Sequence, residues 1–240
     1  MVRIGNFFFR YRNFLFIFLY LALLIPSPLL FSLTYFGPNY YWLPLILGLA
    51  ITILGQLIRG VTISLAYIVR GGKDKKVYAD GLITKGMFAH CRNPLYVGNI
   101  LMLFGLAILM NSLFYVVIVI PVFLFIYQAM VLAEENYLQQ KFGKSFDSYC
   151  KKVSRWGIRL NGLGETIRSM QFNGKRWLIK EYNTQAIWLT GIFSILFFRY
   201  PLLAQNRPHF RNALFFIFLL LIVVFYCSVR YRKKKGIWKA

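Results

Sequence analysis

Between Leu95 and Ala133 the chain carries no Asp, Glu, Lys or Arg. One crossing of a bilayer needs about 20 apolar residues, so this run is long enough for two. Asn111-Ser112 is the expected tight turn between them. Phe14 to Phe36 is likewise free of formal charge, and shorter uncharged stretches run from Tyr40 to Ile58, Tyr182 to Phe198 and Asn212 to Val229. The pattern predicts an all-α, multi-pass transmembrane helical bundle of about six helices. A cleaved signal peptide is not expected, because the first apolar run is too long for one and no small-residue cleavage site follows it.

Hydrophobic residues make up 58% of the chain and aromatic ones 19%, which points to lipid rather than water as the solvent. The net charge of +22, from 29 basic and 7 acidic residues, is explained by topology before nucleic acid is invoked. With a cytoplasmic N-terminus and six crossings, the inner segments take Arg3, Arg10 and Arg12, the bases from Arg70 to Arg92, those from Lys141 to Lys180, and the tail from Arg230 to Lys239. Only Arg199, Arg207 and Arg211 fall outside, and Arg59 lies within an apolar stretch. This is the positive-inside asymmetry, and both termini are expected in the cytoplasm. The same charge suits anionic membrane lipids, at about 1 kcal/mol per juxtamembrane base. Cys91, Cys150 and Cys227 share no metal-like spacing, and His90 and His209 are the only histidines, so neither a disulfide nor a metal site is expected.

Three segments follow. Residues 1–70 hold the N-terminal transmembrane helices, with a kink or break expected at Pro26 and Pro28 and a turn at Gly37-Pro38-Asn39, ahead of an aromatic belt at Tyr40, Tyr41 and Trp42. The second helix is expected from Trp42 to Val69, with Arg59 snorkelling at the inner interface or charging a substrate pocket. Residues 71–160 form the core: a cytoplasmic connection from Gly71-Gly72 to Pro94, the helical hairpin, and an amphipathic helix from Glu134 to about Lys152. Residues 161–240 hold two further helices and a basic tail, and 153–181 reads as a polar linker.

An antiparallel hairpin brings residues near Pro94 beside residues near Glu134 at one membrane face. Two polar, Gly-punctuated segments thus meet: Gly81 to Gly98, and Glu134-Glu135 onward through Phe142-Gly143 to Tyr149. Paired carboxylates at the end of a membrane helix should face water or meet cations, and Arg92 is the evident partner. An ion pair capping the hairpin and a cofactor pocket are both open readings. His90 reads as a solvent-facing loop residue.

The pattern Arg-Asn-Pro-x-Tyr-x-Gly at Arg92 to Gly98, behind Thr84-x-Gly86, resembles the membrane methyltransferases of the isoprenylcysteine carboxyl methyltransferase and phospholipid methyltransferase group. Glu134-Glu135-x-x-Leu138 followed by Phe142-Gly143 and Tyr149 carries the same resemblance, which covers roughly residues 72–160. The resemblance implies an enzyme that takes a methyl group from S-adenosylmethionine to a lipid or lipid-like acceptor entering from the bilayer. By motif position, Leu82, Ile83, Phe88, Asn93, Pro94, Leu95, Tyr96 and Glu134 would line the cofactor pocket. Arg92 and Glu135 would brace it as the catalytic-site pair. Two departures stand out: Asn93 replaces the histidine of many eukaryotic members, and Met130 replaces the arginine that isoprenylcysteine enzymes place near the substrate carboxylate. The second argues against prenylated cysteine. A phospholipid amine, an isoprenoid carboxylate and a lipid phosphate stay open as acceptors.

Methyl transfer suits so few acid-base groups, because the sulfonium donor is already activated and the protein has mainly to align reactants and exclude water. A protonated amine must first lose a proton, to Glu135, Asp80 or solvent. The competing readings are an NADPH-dependent sterol-type membrane reductase, which has a similar Asn-Pro-x-Tyr-x-Gly segment but usually an acid where Asn99 stands, and a non-catalytic membrane scaffold of the same fold.

Overall fold

The computed structural model describes residues 1–65, 79, 81–204 and 207–238. Its helices are α1 Val2–Leu21, α2 Leu33–Phe36, α3 Trp42–Leu65, α4 Pro94–Leu109, α5 Ile120–Phe142, α6 Lys144–Lys152, α7 Leu163–Ser169, α8 Gly174–Arg199 and α9 Pro208–Lys234. Among the described residues there is no β-strand, only an isolated bridge between Leu29 and Ser112. The all-α bundle is therefore as expected. Gly71-Gly72, Arg70 and Asp80 lie outside the described residues.

Among the described residues, three helices are long and apolar enough to cross a membrane: Trp42–Leu65, Tyr115–Phe142 and Pro208–Lys234. A fourth is gained if Val2–Arg12 and Phe14–Leu24, bent by 77° to one another, count as one broken span. The expectation of about six also included α4, which is apolar but has only 16 residues, and α8, whose first turns carry Lys175, Arg176, Lys180 and Glu181. The uncharged run had counted only the apolar part of α8. The first helix also differs from expectation in its start, at Val2. Pro26 and Pro28 break it rather than kink it: the helical turn stops at Leu24, and Ile25 is extended, as a residue before proline prefers.

Glycines decide how α3 and α4 meet. A methyl group built on Gly48 would sit 2.6 Å from the Leu109 nitrogen, and one on Gly55 would sit 2.6 Å from the Gly98 carbonyl oxygen. On Gly105 it would run into the backbone of Thr52. Pairs of glycines seven residues apart on each helix, two turns, let the backbones touch along their length; small residues serve this purpose where lipid supplies no hydrophobic drive between helices. The helices run antiparallel, and Thr52 Oγ1 donates to the Met102 carbonyl at 3.1 Å.

The hairpin turn forms where the sequence placed it. Asn111 takes a left-handed backbone, φ 56°, which asparagine tolerates. Its side chain accepts from Phe31 N at 2.7 Å and donates to Phe31 O at 3.0 Å, pinning the extended segment after α1. Pro121 cannot donate to a carbonyl four residues back, and the preceding turn, Tyr115–Val119, widens to a π-turn. The Tyr115 hydroxyl there donates to Leu19 O at 3.0 Å. The main core gathers Phe9, Leu103, Ala107, Tyr115, Phe123, Tyr127 and Met130 from α1, α4 and α5.

Against α3 also lies α8, and two side-chain pairs cross between them. Trp188 Nε1 donates to Thr52 Oγ1 at 2.7 Å, and Arg59 pairs with Glu181 at 2.6 Å. The partners are seven residues apart on both helices and run in opposite order, so α8 is antiparallel to α3 across two full turns. The helix α9 in turn stacks on α8 through Phe193 and Phe218, with ring centroids 4.2 Å apart.

Candidate functional site

The segment from Gly86 to Pro94 is folded by its own residue types. Gly86 has φ 63° and opens the short turn Gly86–Ala89, a conformation glycine adopts without steric cost. Asn93 precedes Pro94 at the first position of α4, where the missing N–H of proline costs nothing. The loop after α6 then zips onto this segment: Arg92 N donates to Ser154 O at 2.9 Å and Arg159 N to His90 O at 3.0 Å. The Asn93 amide donates to Arg155 O at 3.2 Å.

The two carboxylates toward the C-terminal end of α5 point to different partners, as consecutive helical residues must. Glu134 accepts from the Tyr96 hydroxyl at 2.7 Å, and the Tyr96 ring lies 5.3 Å from that of Tyr127. Glu135 accepts from Arg155, whose Nη2 lies at 2.7 Å and Nε at 3.1 Å. Arg92 Nη1 approaches Glu135 at 3.3 Å and also donates to Cys150 Sγ. The Arg92 Nε is buried without a partner. The bond to Glu135 raises the already high pKa of Arg155, so the arginine stays charged.

The helix α6 closes one side. Gly143, φ 49°, breaks the continuous amphipathic helix expected from Glu134 to Lys152 into the end of α5 and a separate α6. One face of α6 buries Phe146 and Tyr149 with Val153, against Leu82, Leu138, Phe142 and Cys150. Tyr149 donates to Phe88 O at 2.7 Å, and burial raises its pKa well beyond the ordinary tyrosine range. Cys91 is wholly buried and its thiol is pushed up by that burial, which leaves it inert.

The sequence-expected residues thus fall into one neighbourhood. Tyr96 meets Glu134, Arg92 meets Glu135, Asn93 meets the loop after α6, and Leu82 and Phe88 meet α6. Pro94 is buried at the start of α4, Leu95 and Ile83 are half-buried, and the Leu95 carbonyl accepts from Arg59 at 3.4 Å. Met130, the position of the departure from the isoprenylcysteine enzymes, is fully buried in the main core.

Three expectations are corrected. His90 does not face solvent: it is 3% exposed, with Nδ1 donating to Arg159 O at 2.7 Å and Nε2 2.8 Å from Thr166 Oγ1. A neutral ring satisfies both contacts if Thr166 donates, so the residue fastens α7 over the loop. Arg59 does not snorkel, for its guanidinium forks onto Glu181 through Nε at 2.9 Å and Nη2 at 2.6 Å, with Nη1 on Asn99 Oδ1 at 2.5 Å. Residues 153–181 are not a plain linker, since they pair with the 90–93 segment and contain α7 and the first turns of α8. Sequence reasoning missed Arg155, Glu181 and Asn99. A signal existed for Glu181: an intramembrane arginine needs a counter-charge, and only 7 acidic residues are available.

Residues 43–145 match the family model of the phospholipid methyltransferases. That segment runs from α3 into the first turn of α6 and contains Thr84 to Gly98 and Glu134 to Gly143, though not Tyr149, so the resemblance read from the sequence holds for the hairpin that carries these residues. The chain is 31% identical over 80 residues to the nickel-cobalt-cadmium resistance protein NccN of Alcaligenes xylosoxydans xylosoxydans, covering 33% of this chain and 37% of that protein. It is also 31% identical over 80 residues to the cobalt-zinc-cadmium resistance protein CzcN of Cupriavidus metallidurans, with the same 33% and 37% coverage. The alignment thus spans little more than a third of the curated relatives' length. No solved structure matches the chain.

Proposed function

We propose that this membrane protein, whose segment 43–145 is of the phospholipid methyltransferase kind, transfers a methyl group from S-adenosylmethionine to a lipid or lipid-like acceptor. The observation that carries the reading is the meeting of the two motifs at the open end of the hairpin. There Glu134 and Glu135 stand beside Tyr96, Arg92 and Arg155.

The donor set fits a zwitterionic amino-acid tail joined to a cation. Two carboxylates can accept from an ammonium group, and Arg92 Nε is a buried donor without a partner, suited to a carboxylate. Glu134 and Glu135 would hold the amino end and Arg92 the carboxyl end, with Leu82, Ile83, Phe88, Asn93, Pro94, Leu95 and Tyr96 around the rest. When bound, S-adenosylmethionine supplies an activated methyl group that needs no acid catalyst for its departure. The protein's own part is alignment and exclusion of water. Tyr96 fixes the Glu134 carboxylate, Arg155 fixes that of Glu135, and α6 covers the loop through the bond from Tyr149 to Phe88. For an amine acceptor, a carboxylate or solvent removes one proton; for a carboxylate or phosphate acceptor none need move.

The positive-inside rule supports a cytoplasmic site and cytoplasmic termini, and the basic last turn of α9, Arg232, Lys233 and Lys234, suits anionic head groups. The acceptor classes are a phospholipid amine, an isoprenoid carboxylate or a lipid phosphate. The test is incubation of the purified protein with S-adenosylmethionine labelled in its methyl group and total membrane lipid. Label is expected in a lipid fraction and absent with Glu134→Ala. Failure of the wild-type protein to bind S-adenosylmethionine in a detergent titration would sink the reading.

A further inference from the structure

The charged pair Arg59–Glu181 lies outside both motifs, and Glu181 lies outside the segment that matches the family model. Its side chains are 6% and 0% exposed, inside a bundle whose surroundings are lipid. Such pairs are costly to bury, and pure stabilisation is a poor reason to keep one, because apolar side chains of similar volume usually serve as well or better.

What distinguishes this pair is where its remaining valence goes. Arg59 Nη1 donates to Asn99 Oδ1 at 2.5 Å and to the Leu95 carbonyl at 3.4 Å. Its aliphatic stem lies against Gly98, where an added methyl would sit 2.6 Å from Arg59 Cγ. Leu95, Gly98 and Asn99, in the first two turns of α4, are thus touched by one side chain. Between them stands Tyr96, whose hydroxyl holds Glu134 at 2.7 Å. A guanidinium forked on a carboxylate has its plane and direction fixed, which an ammonium or a lone arginine does not. Glu181 supplies that fork, through Arg59 Nε and Nη2.

We infer that Arg59 and Glu181 are positioning residues: Glu181 on α8 orients Arg59, and Arg59 sets the first turn of α4, and with it Tyr96 and Glu134, for methyl transfer. The inference rests on the methyltransferase reading for its consequence but on geometry for its cause. It makes α8 a working part of the site rather than an appended anchor.

The experiment compares the full-length wild type with Arg59→Met/Glu181→Met in lipid nanodiscs. Methionine keeps the unbranched stem that lies against Gly98 and removes both charges together, so neither is left buried and unpaired. Three quantities are read: the thermal midpoint, amide hydrogen exchange over residues 95–99, and transfer of labelled methyl from S-adenosylmethionine to total membrane lipid. A positioning role predicts an unchanged midpoint, faster exchange in the first turn of α4, and a turnover lower by about 10- to 100-fold, as small misplacements of aligned groups produce. A merely structural pair predicts that the double variant keeps both midpoint and turnover. Unchanged exchange at residues 95–99, whatever the turnover, overturns the inference. If wild type itself labels no lipid, the methyltransferase reading falls, and the exchange measurement still decides the positioning role. Should the double variant fail to fold, Glu181→Gln, which keeps shape and one acceptor but leaves the Arg59 charge uncompensated, is read by exchange at residues 95–99 and by turnover per folded protein, a lowered midpoint being expected for it under either role.

Discussion

Two ion clusters sit at the two sides of α4, and they are built to different ends. Arg59 and Glu181 are 6% and 0% exposed and fully forked. Arg92, Glu135 and Arg155 are 14%, 14% and 33% exposed, share one carboxylate between two guanidiniums, and leave Arg92 Nε without a partner. The first is closed, with the Arg59 donors used inside the bundle. The second is open in the chemical sense: it has positive charge to spare, a donor to offer, and water at its edge. A closed pair fixes helices relative to one another, whereas an open cluster can receive a charged ligand without first being broken.

Removing one member of each cluster tests the contrast. Glu181→Ala leaves a guanidinium buried and unpaired, and the expected loss is about 3–5 kcal/mol, read as a large drop in thermal midpoint in nanodiscs. A loss below about 1 kcal/mol would mean that the pair is not closed at all. Glu135→Gln is expected to cost little stability, about 1 kcal/mol or less, because Arg155 is a third exposed and solvent screens it. The same variant is expected to weaken S-adenosylmethionine binding about tenfold, measured by titration; equal loss of fold and binding would erase the distinction between the clusters.

The smallest effect concerns the rung between the two α3–α8 cross-links. Gln56 and Gln185 are 6% and 7% exposed, and Gln56 Nε2 and Oε1 and Gln185 Nε2 have no partner. Replacing a buried polar group that makes no bond by an apolar one of like size is neutral or stabilising. Gln56→Leu/Gln185→Leu is therefore expected to raise the thermal midpoint slightly and leave hydrogen exchange in α4 unchanged. A fall in the midpoint would show that the amides are paired in the membrane.

Much of the site was legible in the sequence because its logic is local. Arg92 to Gly98 reads as an extended dipeptide, a proline start and a helix; Glu134-Glu135 ends an uncharged run; and a two-residue turn at Asn111 makes the two ends meet. Burial of His90 was not legible, since nothing near it in sequence shows that Arg159 and Thr166 fold back onto it. Arg155 was hidden for the same reason. Absence of charge marks apolar length alone and does not show where a helix begins. In α8 the polar first turns belong to the same helix as the apolar remainder.

Residue order alone carries the lipid setting, the helical class, the place of the hairpin turn and the residues that gather at its open end. These follow from charge spacing and turn chemistry, which act over a few residues. The contact of α3 with α4 along their glycines and the inward turn of Arg59 to Glu181 are settled in three dimensions alone. Those outcomes depend on helices remote in sequence meeting at close range, where a single methyl group or an unpaired charge settles which face packs against which.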